Sequence, residues 1–263
     1  MKGSLYIVKI GGNIIDDKKK LSSFLKDFST IKEPKILVHG GGKIATEIAA
    51  KMQIPQQVYE GRRITDAETL KLVTMVYAGL INKNIVAALS AYGVSAIGLS
   101  GADANSVKAY KKPVDKIDFG FAGDIVAVNF EKIAKLLELG LIPVFCAVTH
   151  DGRGQLLNTN ADVVASCIAG AMTAYYKSFL YYCFEKRGVL KDPDNNSSVI
   201  PEINMDVYSK LRREGKIFQG MIPKLDQAFS ALQKGVKSVY ILQGEDLRSS
   251  ILNLRTHGTR ITI

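Results

Sequence analysis

Short apolar runs alternate along this chain with longer stretches whose apolar residues recur every three or four positions. That alternation is the signature of parallel strands joined by crossover helices. It predicts strands near 4–10, 35–39, 94–99, 142–148, 178–183 and 237–242. Helices are predicted near 17–30, 42–53, 66–91, 129–139, 160–173, 204–214, 220–234 and 246–253. The long helix at 66 has Thr65 or Asp66 as a cap, with Glu68 three residues after Thr65, and it stops before Gly93. Residues 105–128 break the rhythm and read as a hairpin. The polar run Lys191-Asp-Pro-Asp-Asn-Asn-Ser-Ser198 reads as an exposed loop.

Glycines fall where strands end. Gly40-Gly-Gly42 closes the run Lys35-Ile-Leu-Val-His39 and opens a helix, and Gly11-Gly12-Asn13 follows Leu5-Tyr-Ile-Val-Lys-Ile10. Without a Cβ the backbone N–H groups there can turn outward and hold an anion, aided by the positive end of a following helix. Two such cradles on one chain fit two anionic groups brought together, as phosphoryl transfer requires. A Walker loop is excluded, since Lys43 is followed by Ile44 rather than Ser or Thr, and a dinucleotide fingerprint is missing.

Composition narrows this picture only in part. The 263 residues carry a formal charge of +10, but the basic residues are scattered. Their one run, Lys18-Lys19-Lys20, has no aromatic interleaving and reads as a solvated helix start. Cys146, Cys167 and Cys183 are odd in number, sit among apolar residues and lack metal-ligand spacing, the pattern of reduced core cysteines in a cytoplasmic protein. The first apolar run is broken by Lys9 and two glycines, too short for a signal peptide core or a membrane span. The expectation is a cytoplasmic protein without a membrane partner, built as one continuous sheet with an N-terminal lobe over 1–175 and a C-terminal lobe over 176–263.

Several polar residues stand at strand ends or helix starts. Lys9 is embedded in an apolar strand, either snorkelling from an edge or placed for function beside the glycine turn. Lys224, near a helix start, is by default a surface lysine. Asn158-Thr-Asn-Ala-Asp162 precedes a helix of small residues, so Asn160 or Asp162 caps it, or the polar side chains converge on a ligand. Arg62-Arg63 offers a fork suited to a carboxylate. His39 reads as a base or, more simply, as a hydrogen-bonded structural imidazole.

Taken in order, Val8-Lys-Ile-Gly-Gly-Asn13, Val38-His-Gly-Gly-Gly-Lys43, Gly61-Arg-Arg-Ile-Thr65, Leu157-Asn-Thr-Asn-Ala-Asp162, Gly220-Met-Ile-Pro-Lys224 and Gly258-Thr-Arg-Ile261 resemble the acetylglutamate kinase family of the amino acid kinase superfamily. The resemblance runs from the first strand to the last residues. It implies a three-layer αβα sandwich around a mainly parallel central sheet, the amino acid kinase or carbamate kinase-like fold. It implies an acyl amino acid in the N-terminal lobe and ATP in the C-terminal lobe. By the same resemblance, Lys9 and Lys224 stabilise the transferring phosphoryl group and Asp162 holds both lysines. Gly11 and Gly12 donate to ATP phosphates, Gly41 and Gly42 hold the substrate, Arg63 takes its α-carboxylate and Asn158 another polar group.

The implied acceptor is a side-chain carboxylate, ionised at neutral pH with a reference pKa of about 4.3, so no general base is needed. The difficulty is bringing two anions together, and fixed cations with backbone donors meet it. Magnesium arrives with ATP, held mainly by phosphate oxygens. One segment departs from the family pattern: where Thr or Ser, Asp, Val, x, Gly is usual, this chain has Phe184-Glu-Lys-Arg-Gly188, with Glu185 in place of the aspartate and Gly188 kept on the ATP side. The first strand begins almost at once, which sets the expectation of a homodimer without arginine feedback. N-acetyl-L-glutamate is the default N-acyl-L-glutamate substrate and the succinyl compound the alternative. An idle ligand-sensing or nucleic-acid-binding protein on the same fold is the alternative of another class.

Overall fold

The computed structural model describes every residue except Met1, Glu60, Asp115, Pro193, 218–220 and 253–256. Gly220 of the glycine–lysine motif, the first residue of the expected helix 220–234 and the last of 246–253 therefore lie outside the described residues. The chain forms two compact units, residues 1–35 with 165–263, and residues 36–164. The first unit thus draws on both ends of the sequence.

In that first unit the strands Glu202–Ile203, Thr259–Ile261, Ser238–Gln243, Tyr176–Phe184 and Lys2–Ile10 lie side by side in that order. Lys2–Ile10 and Ser238–Gln243 flank Tyr176–Phe184 in parallel, and Thr259–Ile261 joins antiparallel. Leu5, Ile7, Val8 and Ile10 are fully buried, as a parallel strand covered on both faces requires. Tyr181 stacks on Tyr240 at 4.9 Å, and Tyr6 meets Tyr181 edge-on. Helix Lys18–Ser29 starts at Asp17, whose carboxylate accepts from the Lys19 and Lys20 N–H groups. The three lysines after it are exposed, as the solvated-start reading holds. Lys35 is buried: its ammonium donates to Ile31 O at 2.5 Å and lies over the Phe28 ring, while burial pushes its pKa down to about 8.

The second unit has the parallel strands Lys35–His39, Ile142–Cys146 and Ala96–Leu99 in that order. The expected hairpin is present as Val107–Lys111 paired antiparallel with Gly123–Val128. The strand expected at 142–148 ends at Cys146. Val148–His150 then leaves for the smaller sheet, where it pairs antiparallel with Leu156–Asn158. A further pair, Gln57–Tyr59 with Arg62–Ile64, escapes the sequence pattern because its strands are three residues long and largely exposed.

The long helix runs from Ala67 to Ala91, with Asp66 as its cap: the carboxylate accepts from Thr69 N at 2.7 Å. Thr65 is buried instead and bonded elsewhere. The middle of this helix, Thr74–Ile81, winds as a π-helix. By length and composition the stretch could cross a membrane. Here Leu72, Val73, Val76, Ile85 and Leu89 bury in the unit, while Met75 and Leu80 remain exposed. Cys146 and Cys183 are buried and Cys167 half-buried, all as free thiols.

Candidate active site

Among the described residues five helices begin with an acceptor side chain on their open N–H groups: Lys18–Ser29 at Asp17, Ala67–Val73 at Asp66, Phe130–Glu138 at Asn129, Ala161–Met172 at Asn160 and Met205–Arg213 at Asn204. The helices starting at Gly12, Gly42, Ile222 and Leu247 have no such cap. The first three of these starts adjoin Gly11-Gly12, Gly41-Gly42 and Lys224, the residues singled out in the sequence. A helix start without a capping oxygen leaves donors for an anion.

In the second unit Gly41 precedes helix Gly42–Lys51 with φ 153°, in the range that favours glycine. A Cβ there would collide with Ile81 Cδ1 and press on the Tyr77 ring. Arg63 folds against the same turn: Nη2 donates to Gly42 O at 2.9 Å and to Thr46 Oγ1 at 2.8 Å, and Nη1 donates to Gln56 Oε1. Arg62, its neighbour on a two-residue-period strand, is exposed, so the arginine pair splits and only Arg63 turns inward. Asn158 Nδ2 donates to Thr65 Oγ1 at 3.0 Å, and Thr65 Oγ1 donates to Arg63 O at 3.1 Å. The structure therefore joins Gly42, Arg63 and Asn158 in one hydrogen-bonded set.

His39 is fully buried beside this turn. Asn82 Nδ2 donates both to His39 Nε2 at 3.0 Å and to Val144 O at 2.9 Å, so Nε2 is the acceptor. Nδ1–H then donates to Gly40 O at 2.8 Å. Burial holds the imidazole neutral, with a pKa of about 4. This is the structural imidazole of the simpler reading.

Asn160 Oδ1 accepts from Asp162 N at 2.7 Å, which makes Asn160 the capping group of the following helix. Asp162 stands in the first turn of helix Ala161–Met172, 9 % exposed, where the helix dipole favours its negative charge.

In the first unit Lys9 is half-buried opposite Tyr182, and its charge acts on the Cys183 thiol, which burial pushes far up. Gly11 N donates to Cys183 O at 2.9 Å, so this N–H is committed to the protein. Among the described residues no backbone acceptor is recorded for the N–H groups of Gly12 and Asn13, and helix Gly12–Ile15 has no side-chain cap. The helix that follows, Gly12–Ile15, is a single turn, too short to contribute a sizeable dipole. Lys224 is half-buried in the first turn of Ile222–Gln233. Glu185 is exposed, and Gly188 is buried with a structural reason of its own: a Cβ would stand 2.7 Å from Thr259 Oγ1, the group that accepts from Val189 N.

A cavity of about 60 Å³ opens at the carboxyl ends of Lys2–Ile10, Tyr176–Phe184 and Ser238–Gln243, lined among others by Asn13, Lys20, Phe184, Glu185, Gln243 and Glu245. Ligands of open α/β sheets bind at this edge of parallel strands. Gln243 and Glu245 were not singled out by motif, although their place at or just past a strand end is itself the signal.

The amino acid kinase family profile matches residues 4–243. Over 258 residues the chain is 54 % identical to the acetylglutamate kinase of Cytophaga hutchinsonii, covering 98 % of each. Among solved structures it is similar to a Streptococcus mutans protein, with TM-score 0.80, 28 % identity and 98 % of both chains covered. The Giardia carbamate kinase shares the fold at TM-score 0.72 and 14 % identity, over 99 % of each chain.

Proposed function

The chain belongs to the amino acid kinase family, and from that membership we propose that it transfers the terminal phosphoryl group of ATP to the side-chain carboxylate of N-acetyl-L-glutamate. The product is the acyl phosphate, a step of arginine biosynthesis, made in the cytoplasm. The observation that carries this reading is the pair of glycine turns: Gly41 and Gly42 open an uncapped helix with Arg63 bonded across Gly42, and Gly11-Gly12 and Lys224 also stand at helix starts without a capping side chain. Open backbone donors with cations nearby suit two anionic substrates and no proton abstraction.

In this reading Gly41, Gly42, Arg63 and Asn158 bind the acyl amino acid, with Arg63 on its α-carboxylate. Arg63 is suited to that task because Gly42 O, Thr46 and Gln56 already fix its guanidinium. Gly12 donates to ATP phosphates, and Gly11 keeps the turn free of a side chain. Glu185 and Gly188 border the nucleotide. Lys9 and Lys224 offset the charge of the transferring group, and Asp162 is the orienting carboxylate. Mg2+ enters with ATP, held mainly by phosphate oxygens. Among the described residues no three His, Cys, Asp or Glu side chains gather to hold a metal. The enzyme acts as a homodimer, a reading supported by exposed Met75 and Leu80 on the long helix.

ADP release that depends on N-acetyl-L-glutamate tests the proposal. Release without the acyl amino acid, or none with it, overturns it. Lys224→Ala should lower kcat by about a hundredfold to a thousandfold with little change in thermal midpoint. Turnover of N-acetyl- and N-succinyl-L-glutamate side by side fixes the acyl group.

A further inference from the structure

Tyr77 borders the Gly41-Gly42 turn. Its side chain comes from the π-helical segment Thr74–Ile81, a rare winding that often marks functional positions. It is only 5 % exposed. The ring edge lies 3.1 and 3.2 Å from where a Cβ on Gly41 would stand. The hydroxyl is 3.9 Å from the corresponding point on Gly42, the same distance as Arg63 Nη2. A phenol and a guanidinium therefore flank one open spot over Gly42.

Their polarity fixes which of them can donate to the other. The Arg63 charge acts on the Tyr77 hydroxyl, and a guanidinium can only donate, so toward Arg63 the phenol oxygen can serve only as acceptor. The phenol's own O–H is then left to donate. Burial raises its pKa, so the proton stays in place at neutral pH. Packing against Gly41 alone would be served equally well by phenylalanine, and a buried hydroxyl is costly unless it bonds.

We infer that Tyr77 is a substrate-binding residue whose O–H donates to the carboxylate that Arg63 binds, the two side chains forming one clamp over Gly42. The inference rests on the proposed kinase reading for the identity of that carboxylate. Its energetic scale is that of a hydrogen bond to a charged group, which corresponds to about tenfold in affinity or more.

Tyr77→Phe keeps the ring and removes the O–H. Calorimetric titration with N-acetyl-L-glutamate, without nucleotide, should show binding weakened about tenfold, with the thermal midpoint and the KM for ATP unchanged. For N-acetyl-L-isoglutamine, whose α-carboxylate is an uncharged amide, the two proteins should differ by less than about threefold, the charge assistance being lost. Equal affinity of both proteins for N-acetyl-L-glutamate overturns the inference, as does a full tenfold loss on the amide. If the wild type binds tenfold tighter than Tyr77→Phe yet releases no ADP, the clamp stands and the kinase reading fails. If it phosphorylates the substrate while both proteins bind it alike, the kinase reading stands and the clamp fails.

Discussion

The two glycine turns look alike in sequence and differ in physical kind. At Gly41 the backbone has φ 153° and a Cβ would strike Ile81, so glycine is demanded by conformation and packing together. At Gly11 φ is −84° and ψ 171°, ordinary extended backbone, and a Cβ would meet Phe184 Cβ at 3.4 Å, a normal contact. The helix after the first turn has four residues and that after the second has ten. One turn is thus a rigid, dipole-backed seat wedged between Arg63 and the π-helix. The other is an open turn whose first N–H is used by Cys183 and whose next two have no backbone acceptor recorded among the described residues. Motif resemblance therefore does not imply a shared construction: the turn at Gly11 is locally ordinary, and the turn at Gly41 is built against Arg63 and the π-helix.

Substituting Gly41 separates the turns most strongly. Gly41→Ala should cost about 3 kcal/mol of stability, from backbone strain and from displacement of Ile81, as measured by urea unfolding. A loss below about 1 kcal/mol would show that the turn relaxes and that its rigidity is overstated.

A smaller effect isolates His39, which belongs to the second turn alone. Its folded pKa of about 4 lies below the unfolded value of about 6.5. Between those values the unfolded chain binds a proton that the folded chain refuses, so stability falls as pH drops from 6.5 toward 4 and is retained above. From pH 7 to pH 5 this amounts to about 2 kcal/mol. His39→Gln should remove that part of the slope in pH-dependent urea titrations, and a slope unchanged in the variant would assign it to other groups.

The smallest effect is expected at the open turn. Gly11→Ala should change stability by less than about 0.5 kcal/mol while raising the KM for ATP. A large stability loss there would make the two turns equivalent after all.

Much of the layout was legible because strand and helix periods differ and most elements are long. The strands at 35–39 and 238–243 and the helices at 18–29, 130–138 and 205–213 fall within a residue or two of expectation. Legibility failed where an element was short or its partner remote. The hairpin that presents Arg63 has three-residue strands, and nothing local marks them. The choice between Thr65 and Asp66 as cap was open because Thr65 is taken by Asn158, more than ninety positions away. For the same reason the Arg62-Arg63 pair could not be resolved into one outward and one inward side chain.

By itself the sequence determined the order of the longer elements, the two glycine turns and the family, since these depend on local periodicity and on motifs kept in order along the chain. Only the tertiary structure decided which turn is strained, that His39 is neutral and structural, that Gly11 N–H is already used, and that Tyr77 shares a spot with Arg63. Each of those depends on which distant groups come within about 4 Å, and hydrogen bonding, burial and steric exclusion act only at that range.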